Sequence, residues 1–227
     1  MNFLTPLIDF FLPRFCTACK NKLPAEEFIV CNSCLSIIKK PDKDRIVHEF
    51  ERKFSSDKII SSFTSLFLFE KDKELQHIIH ALKYDGKFQV GIFLGKLIAN
   101  ELKDHFDEWK IDFIVPVPLH HLKQAERGYN QSGFIAKGIR SVLSIPVKNK
   151  VIKRSRFTET QTNMNLLERR ENIKGAFIIK RKKYLKGKTI LLLDDVITTG
   201  ATISECGRVL LEKDAAKIYA ASVAIAD

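Results

Sequence analysis

The sequence predicts an α/β protein with a mainly parallel sheet covered on both faces, preceded by a small cysteine-rich module. Three observations carry this reading. Apolar runs such as "IDFIVPVP", "TILLLDD" and "AKIYAASVAIA" alternate with segments of helical periodicity, as in sheets whose strands are buried on both sides. The last of these units reads strand–helix–strand. Finally, four of the five cysteines fall within "CTACKNKLPAEEFIVCNSC", residues 16–34.

In that stretch Cys16 and Cys19 form one C-x2-C pair and Cys31 and Cys34 a second, with eleven residues between the pairs. Each pair brings two thiolates from one tight turn to a single metal, and two pairs complete a tetrahedron. Four protein ligands leave no open position, so the expected ion is a structural Zn2+. Two disulfides and redox C-x-x-C chemistry are the rivals. No secretory signal is read in the chain, and two pairs this close favour one shared metal. Cys206 lies on the helical face Ile203, Cys206, Gly207, Leu210 and Leu211 and reads as a core residue.

After the cysteines, "IIKKPDKDRIVHEFERKFSSDK" is charged and reads as an irregular connector. The expected division is therefore residues 1–57 for the metal module and connector, and 58–227 for the α/β domain. "IISSFTSLFLF" reads as a strand. Leu75, Ile78, Ile79 and Leu82 mark one helix, and Val90, Phe93, Leu94, Leu97 and Ile98 a second, with an Asp-Gly turn in "LKYDGK" between them. "IDFIVPVP" is a strand stopped by its prolines. A helix follows with Ile135, Ile139, Val142 and Leu143 on one side. "IPVKNKVI" is strand-like, a long basic segment from Lys153 to about Lys174 lacks apolar periodicity, and "GAFII" returns to strand. A helix is expected from Thr202.

The net charge of +11 is unevenly placed. Between Leu119 and Lys188 stand 18 Lys/Arg and 4 Asp/Glu, so this third of the chain supplies the whole excess. The alternatives are a solvated surface or a site for a polyanion, either nucleic acid or a pyrophosphate-bearing metabolite. No run of 18 apolar residues exists, so no transmembrane helix is expected. The N-terminal "MNFLTPLIDFFLPRF" lacks a basic leader and carries Asp9, which argues against a signal peptide. It reads as a short helix docked on the protein, with peripheral membrane association as the alternative. The expected location is cytoplasmic.

The chemistry concentrates in "TILLLDDVITTGATI", residues 189–203. A Walker A loop does not account for it. Gly187-Lys188-Thr189 matches only the end of that motif, Lys182 stands where its first glycine belongs, and the segment feeds a strand. Without a phosphate loop, "LLLDD" cannot serve as a Walker B strand. A purely structural role leaves two carboxylates at a buried strand end with no function. The reading that remains is a phosphomonoester site at a helix N-terminus. The backbone N–H groups and hydroxyls of Thr198, Thr199, Gly200, Ala201 and Thr202 would hold the phosphate, and Asp194 and Asp195 would accept from two vicinal ribose hydroxyls. In such sheets ligands bind beyond the carboxyl ends of strands, where "VPVPLHH" also lies.

"ILLLDDVITTGAT" resembles the 5-phosphoribosyl 1-pyrophosphate (PRPP) loop of type I phosphoribosyltransferases. Together with the cysteine knuckle, "LKYDG", "VPVPLHHLKQAERGYNQS" and "TQTNMNLLERRENIKGAF", the chain resembles the ComF-type competence proteins of that superfamily over nearly its full length. The resemblance implies a zinc finger joined to a phosphoribosyltransferase-fold domain, with PRPP and Mg2+ at the site. It makes Asp194 and Asp195 the ribose ligands and residues 198–202 the 5-phosphate cradle. "VPVPLHH" becomes the pyrophosphate loop, with Arg127 near the leaving group and Lys83 reaching the same anion. The segment 154–170 becomes the loop that closes over substrate. This chain has His121, Leu122 and Lys123 where most members carry further basic residues.

The resemblance further implies a role in natural transformation, handling single-stranded DNA during DNA uptake. Two other functions are weighed against it. One is a metabolic phosphoribosyltransferase that moves ribose 5-phosphate from PRPP to a base or amine. The other is a scaffold whose zinc module contacts a partner such as a competence helicase. No acceptor pocket is identifiable, so catalysis of transfer is left open.

Overall fold

The structure, a computed structural model, describes residues 13–157 and 166–226. The expected N-terminal helix and the middle of the 154–170 segment lie outside these residues. The main sheet has four parallel strands in the order β1 (Ser62–Leu68), β6 (Lys217–Ile225), β5 (Thr189–Ile197) and β2 (Phe113–Pro116). A separate antiparallel pair joins β3 (Ile152–Arg154) to β4 (Phe177–Ile179).

The two central strands read as unbroken apolar runs because both of their faces are covered. Alternate residues divide between two cores. Leu191, Leu193, Ala221 and Val223 face one side, with residues of α3 (Glu74–Tyr84), α4 (Phe88–Glu101) and α7 (Gln131–Leu143). Ile190, Leu192, Ile218 and Ala220 face the other, with α9 (Ala201–Leu211) and the β3–β4 pair. Two shorter helices, α5 (Lys103–Trp109) and α8 (Leu166–Ile173), precede β2 and β4. The expected helical faces are buried at Leu75, Ile78, Ile79 and Leu82, and at Val90, Leu94 and Ile98. In α7, Ile135 and Ile139 are buried and Leu143 packs partly against the same core, while Val142 is exposed.

Helices α4 and α7 touch backbone to backbone. A Cβ on Gly95 would lie 2.0 Å from the Ile135 carbonyl oxygen, and one on Gly138 would lie 2.2 Å from that of Ile92. This close approach sets the start of α7 above the carboxyl end of β5.

Four local expectations need correction. "IPVKNKVI" is not a strand before Ile152; only Val147 bridges to Ile114, and a turn follows. Strand β5 does not stop at the aspartates but pairs with β6 as far as Ile197. Helix α9 begins at Ala201, one residue before the expected Thr202. The largest difference is the connector: residues Lys43–Phe54 form a three-turn helix, α2. Its N-cap Asp42 accepts from the Arg45 N–H at 2.7 Å. Ile46, Phe50 and Phe54 pack into the second core. The charge of the stretch hid this helix, because its buried face also carries Glu49 and Lys53.

The cysteine-rich stretch, with the short helix α1 (Asn32–Ile37), packs on the first core through Cys16, Leu23, Val30, Cys34 and Ile38. The chain then passes the outer strand β1, whose Leu68 N–H donates to the Lys39 carbonyl at 2.8 Å. That bond covers part of an otherwise open sheet edge. Helix α2 follows on the opposite face, so the N-terminal third wraps the edge of the sheet.

Candidate functional site

Strands β2 and β5 are parallel neighbours, and their carboxyl ends lie side by side, with the Val117 N–H donating to the Leu193 carbonyl at 2.9 Å. The loops after both strands therefore share one rim, as the sequence led us to expect. Asp194 and Asp195 stand on that rim. Neighbouring residues of a strand point to opposite sides, and here each carboxylate also accepts from the backbone next to it. Asp194 Oδ1 takes the Asp195 N–H at 2.9 Å, and Asp195 Oδ1 takes the Val196 N–H at 2.8 Å.

Side chains from two helices complete the pair. Ser132 Oγ donates to Asp194 Oδ1 at 3.0 Å, and Gln131 Nε2 donates to Asp195 Oδ2 at 3.3 Å. Lys83 Nζ, at the end of α3, forms an ion pair with Asp195 Oδ2 at 2.9 Å. Burial pushes the Asp194 carboxyl up to about 7, and the charge of Asp195 adds to this. A carboxylate so placed gains from any hydroxyl donor or cation that joins it.

The motif "ERGYNQS" assembles this arrangement residue by residue. Arg127 ends α6 (His121–Arg127) with its guanidinium 5.2 Å from the Tyr84 ring centre. Gly128 takes φ +78, which turns the chain sharply out of the helix. Tyr129 Oη donates to the Leu82 carbonyl at 2.5 Å. Asn130 caps α7, accepting from the Ser132 N–H at 3.1 Å while donating to the Val117 carbonyl at 2.9 Å. Gln131 and Ser132 then reach the aspartates. Hydroxyl, amide and lysine partners for a carboxylate pair carry no fixed spacing, so Gln131 and Ser132 escaped the sequence reading. Their place just after a capping asparagine was the signal available.

A cradle of about 40 Å³, lined by Asp194 and the 198–202 loop, opens at the first turn of α9. Gly200 is the N-cap, with φ +76 and no side chain to cap the helix. Its missing Cβ faces α2: a methyl there would lie 2.7 Å from the Phe54 ring and 3.2 Å from Lys53 Cβ. Lys53 is buried on the same side. Its Nζ donates to the Thr198 carbonyl and, at 2.8 Å, to that of Ala226, and it pairs with buried Glu49 at 3.1 Å. The loop is thus held from behind by a helix nearly 150 residues earlier in the chain. Lys53 is the residue that sequence reasoning missed most completely.

His120 and His121 follow β2. His120 is buried, and its Nδ1 accepts from the Leu122 N–H at 3.4 Å as the cap of α6. Burial first, and then the charges of His121 and Arg154, lower its pKa. Burial likewise depresses the ammonium pKa of Lys123, followed by the charges of Arg154 and Arg127, with Lys83 adding a smaller effect. Lys123, Arg127, Arg154 and Lys83 therefore share one positive region. An anion placed there would relieve their mutual repulsion.

The four predicted cysteine ligands meet in space. One sulfur from each of Cys16, Cys19, Cys31 and Cys34 lies within 4.8 Å of all the others, and Cys19 and Cys31 are 3.9 Å apart. A tetrahedron with metal–sulfur bonds of about 2.3 Å has edges of about 3.8 Å. The Cys31 N–H donates to Cys16 Sγ at 3.3 Å, and the Cys34 N–H to Cys31 Sγ at 3.4 Å. Burial pushes the Cys16 thiol up, but the backbone groups of Cys31, Cys19 and Ala18 outweigh it and bring the thiol down to about 7. The donor set fits a soft or borderline cation. It is the one group of three or more such side chains among the described residues.

A family model for the phosphoribosyl transferase domain matches residues 92–226, from α4 to the end of β6. The chain belongs to this family. The matched range contains both rim loops and the aspartate pair, while Lys53 and Lys83 lie outside it. The chain is 34% identical over 140 residues to competence protein F of Haemophilus influenzae, covering 60% of this chain and 61% of that protein. It is 30% identical over 147 residues to the DNA utilization protein YhgH of Escherichia coli O157:H7, covering 63% and 64%. To competence protein ComFC of Bacillus subtilis it is 26% identical over 214 residues, covering 88% of this chain and 79% of that protein. The chain thus spans rather less than two thirds of the first two relatives. No helix among the described residues is long and apolar enough to cross a membrane.

Proposed function

We propose that this phosphoribosyl transferase domain binds PRPP together with Mg2+ and serves in the cytoplasmic handling of single-stranded DNA during natural transformation. The observation that carries the PRPP reading is the convergence of Ser132, Gln131 and Lys83 on Asp194 and Asp195, beside the Gly200-capped cradle of α9. The 5-phosphate would lie on the N–H groups of the first turn of α9 and the hydroxyls of Thr198, Thr199 and Thr202. The vicinal hydroxyls would donate to the aspartates, with Ser132 and Gln131 holding the carboxylates in place. Arg127, Lys123 and Arg154 would face the pyrophosphate, whose charge Mg2+ offsets when bound. The cysteine cluster would hold one structural Zn2+. The names of the relatives, two competence proteins and a DNA utilization protein, support the cellular role.

The test is calorimetric titration of PRPP with Mg2+ into the zinc-loaded chain, and into its Asp194→Ala/Asp195→Ala variant. Saturable binding that the double variant loses is the expected result. A folded wild-type protein that takes up no PRPP would overturn the reading. Pyrophosphate release with one member of a panel of bases and amines would make the domain a transferase; binding without release leaves it a PRPP-binding protein.

A further inference from the structure

The excess charge of residues 119–188 has a definite place in the fold. A trough of about 740 Å³ lies along β3 and the start of α7. Its walls carry Lys137, Lys150, Lys153, Arg154, Lys180 and Arg181, and no Asp or Glu is among its lining residues. A second depression of about 230 Å³ shares Asn149, Lys150 and Arg181 with the first and adds Lys148 and Tyr184. The two form one continuous basic channel. Elsewhere in the same stretch, basic groups are neutralised locally: Lys188 pairs with Asp112 and Lys174 with Glu171. Lys137, Lys150, Lys153 and Lys180 form no salt bridge among the described residues. Cations gathered on one concave wall repel one another, and a polyanion lying along it removes that cost.

Aromatic rings are set into the channel at separated points. Phe134 is half-buried, braced 4.9 Å from Phe88 and 5.3 Å from Tyr129, with Lys137 Nζ 4.2 Å above its ring. Tyr184 has Lys148 at 4.8 Å and Lys183 at 5.3 Å from its ring centre. A basic groove with braced rings suits a strand whose base faces are free to stack. A duplex hides those faces, and an anionic bilayer is too flat to enter a concave trough.

We infer that this channel binds single-stranded DNA, its phosphates on the lysine and arginine side chains and its bases on Phe134 and Tyr184. The inference rests on the proposed DNA-handling role and assigns that role a surface. Arg154 lines the channel and also feels the charge of Asp194, so the strand would run up to the edge of the PRPP site.

The experiment is fluorescence anisotropy of a labelled oligothymidylate with the zinc-loaded full chain across a salt series. Lys150→Glu/Lys180→Glu alters two exposed channel residues. Lys213→Glu/Lys217→Glu makes the same charge change at exposed positions outside it. The channel pair is expected to weaken binding at least tenfold and to flatten the salt slope by about 1.4, at roughly 0.7 per lost phosphate contact. The outer pair should stay within about twofold of wild type. Tyr184→Ala should weaken binding about fivefold with the salt slope unchanged, as loss of stacking requires. Equal losses in both charge-reversed pairs would overturn the channel assignment while leaving DNA binding intact. Channel-dependent binding that favours a duplex, or phosphatidylglycerol vesicles, over the single strand would also overturn it. A wild-type protein that binds no single strand would remove the DNA-handling role and the channel together.

Discussion

Two stretches meet at Thr198–Gly200, and they differ in almost every respect. Residues 189–203 announce their chemistry: a buried strand, paired carboxylates, then hydroxyls and a glycine at a helix start. Residues 43–54 are charged and read as a connector. Yet α2 supplies the buried ammonium that holds the Thr198 carbonyl and the ring that closes over Gly200. The difference teaches where each kind of information resides. A phosphate cradle must be built from consecutive residues, because successive N–H groups have to converge on one anion. Its backing needs only some donor and some packed surface at the right place, and these can come from anywhere in the chain.

Breaking the backing should have the largest effect. Lys53→Met leaves the Thr198 and Ala226 carbonyls without this donor and removes a partner from buried Glu49, so a loss of about 3–5 kcal/mol is expected. Urea unfolding measures the loss, and PRPP titration below the transition should show affinity reduced tenfold or more. Unchanged affinity in a destabilised variant would mean that α2 supports the fold and not the cradle.

Gly200→Ala tests the same contact from the other side. Its positive φ and the 2.7 Å approach to Phe54 predict a cost of about 2–4 kcal/mol. Phe54→Leu in the same chain should recover part of that cost, a non-additivity that a double-mutant cycle would read directly. Full additivity would place the strain in the backbone alone.

Asp194 sharpens the comparison from within the conspicuous stretch. Folding raises its carboxyl from 3.8 to about 7, so between these values the folded state keeps a proton that the unfolded chain has released. Stability should therefore fall as pH rises from about 4 to 7 and level off above. Asp194→Asn should be more stable than wild type at pH 8, with the advantage shrinking toward pH 5, while its PRPP binding is lost. Thermal unfolding at several pH values checks the sign. The smallest of these effects is expected from Ser132→Ala, about 1 kcal/mol in stability and a few-fold in PRPP affinity. An effect as large as that of Asp194→Asn would make Ser132 a direct ligand contact.

Much of the site was legible because local chemistry has local signatures. The cysteine spacing called for one shared metal, and the four sulfurs do cluster. Proline-stopped "IDFIVPVP" and "TILLLDD" read as strands of a mainly parallel sheet whose following loops share a rim, and the structure makes them parallel neighbours. Where the reading failed, a mixed environment disguised the pattern. Helix α2 carries Ile46, Phe50 and Phe54 at helical spacing, but buried Glu49 and Lys53 and the surrounding charge masked that stripe. "IPVKNKVI" alternates like a strand, but at Val147 it gains only a single bridge at the sheet edge.

By itself the sequence determined the layered α/β architecture, the four-sulfur cluster, and the carboxylates and hydroxyls offered at the end of β5. These follow from residue types at short spacings, where covalent geometry leaves few choices. Tertiary structure alone decided that Ser132, Gln131 and Lys83 converge on those carboxylates. It also decided that Lys53 grips the loop and that scattered lysines line one channel. Such partners are chosen by distance in space, and a folded chain brings residues together with no regard for their separation along it.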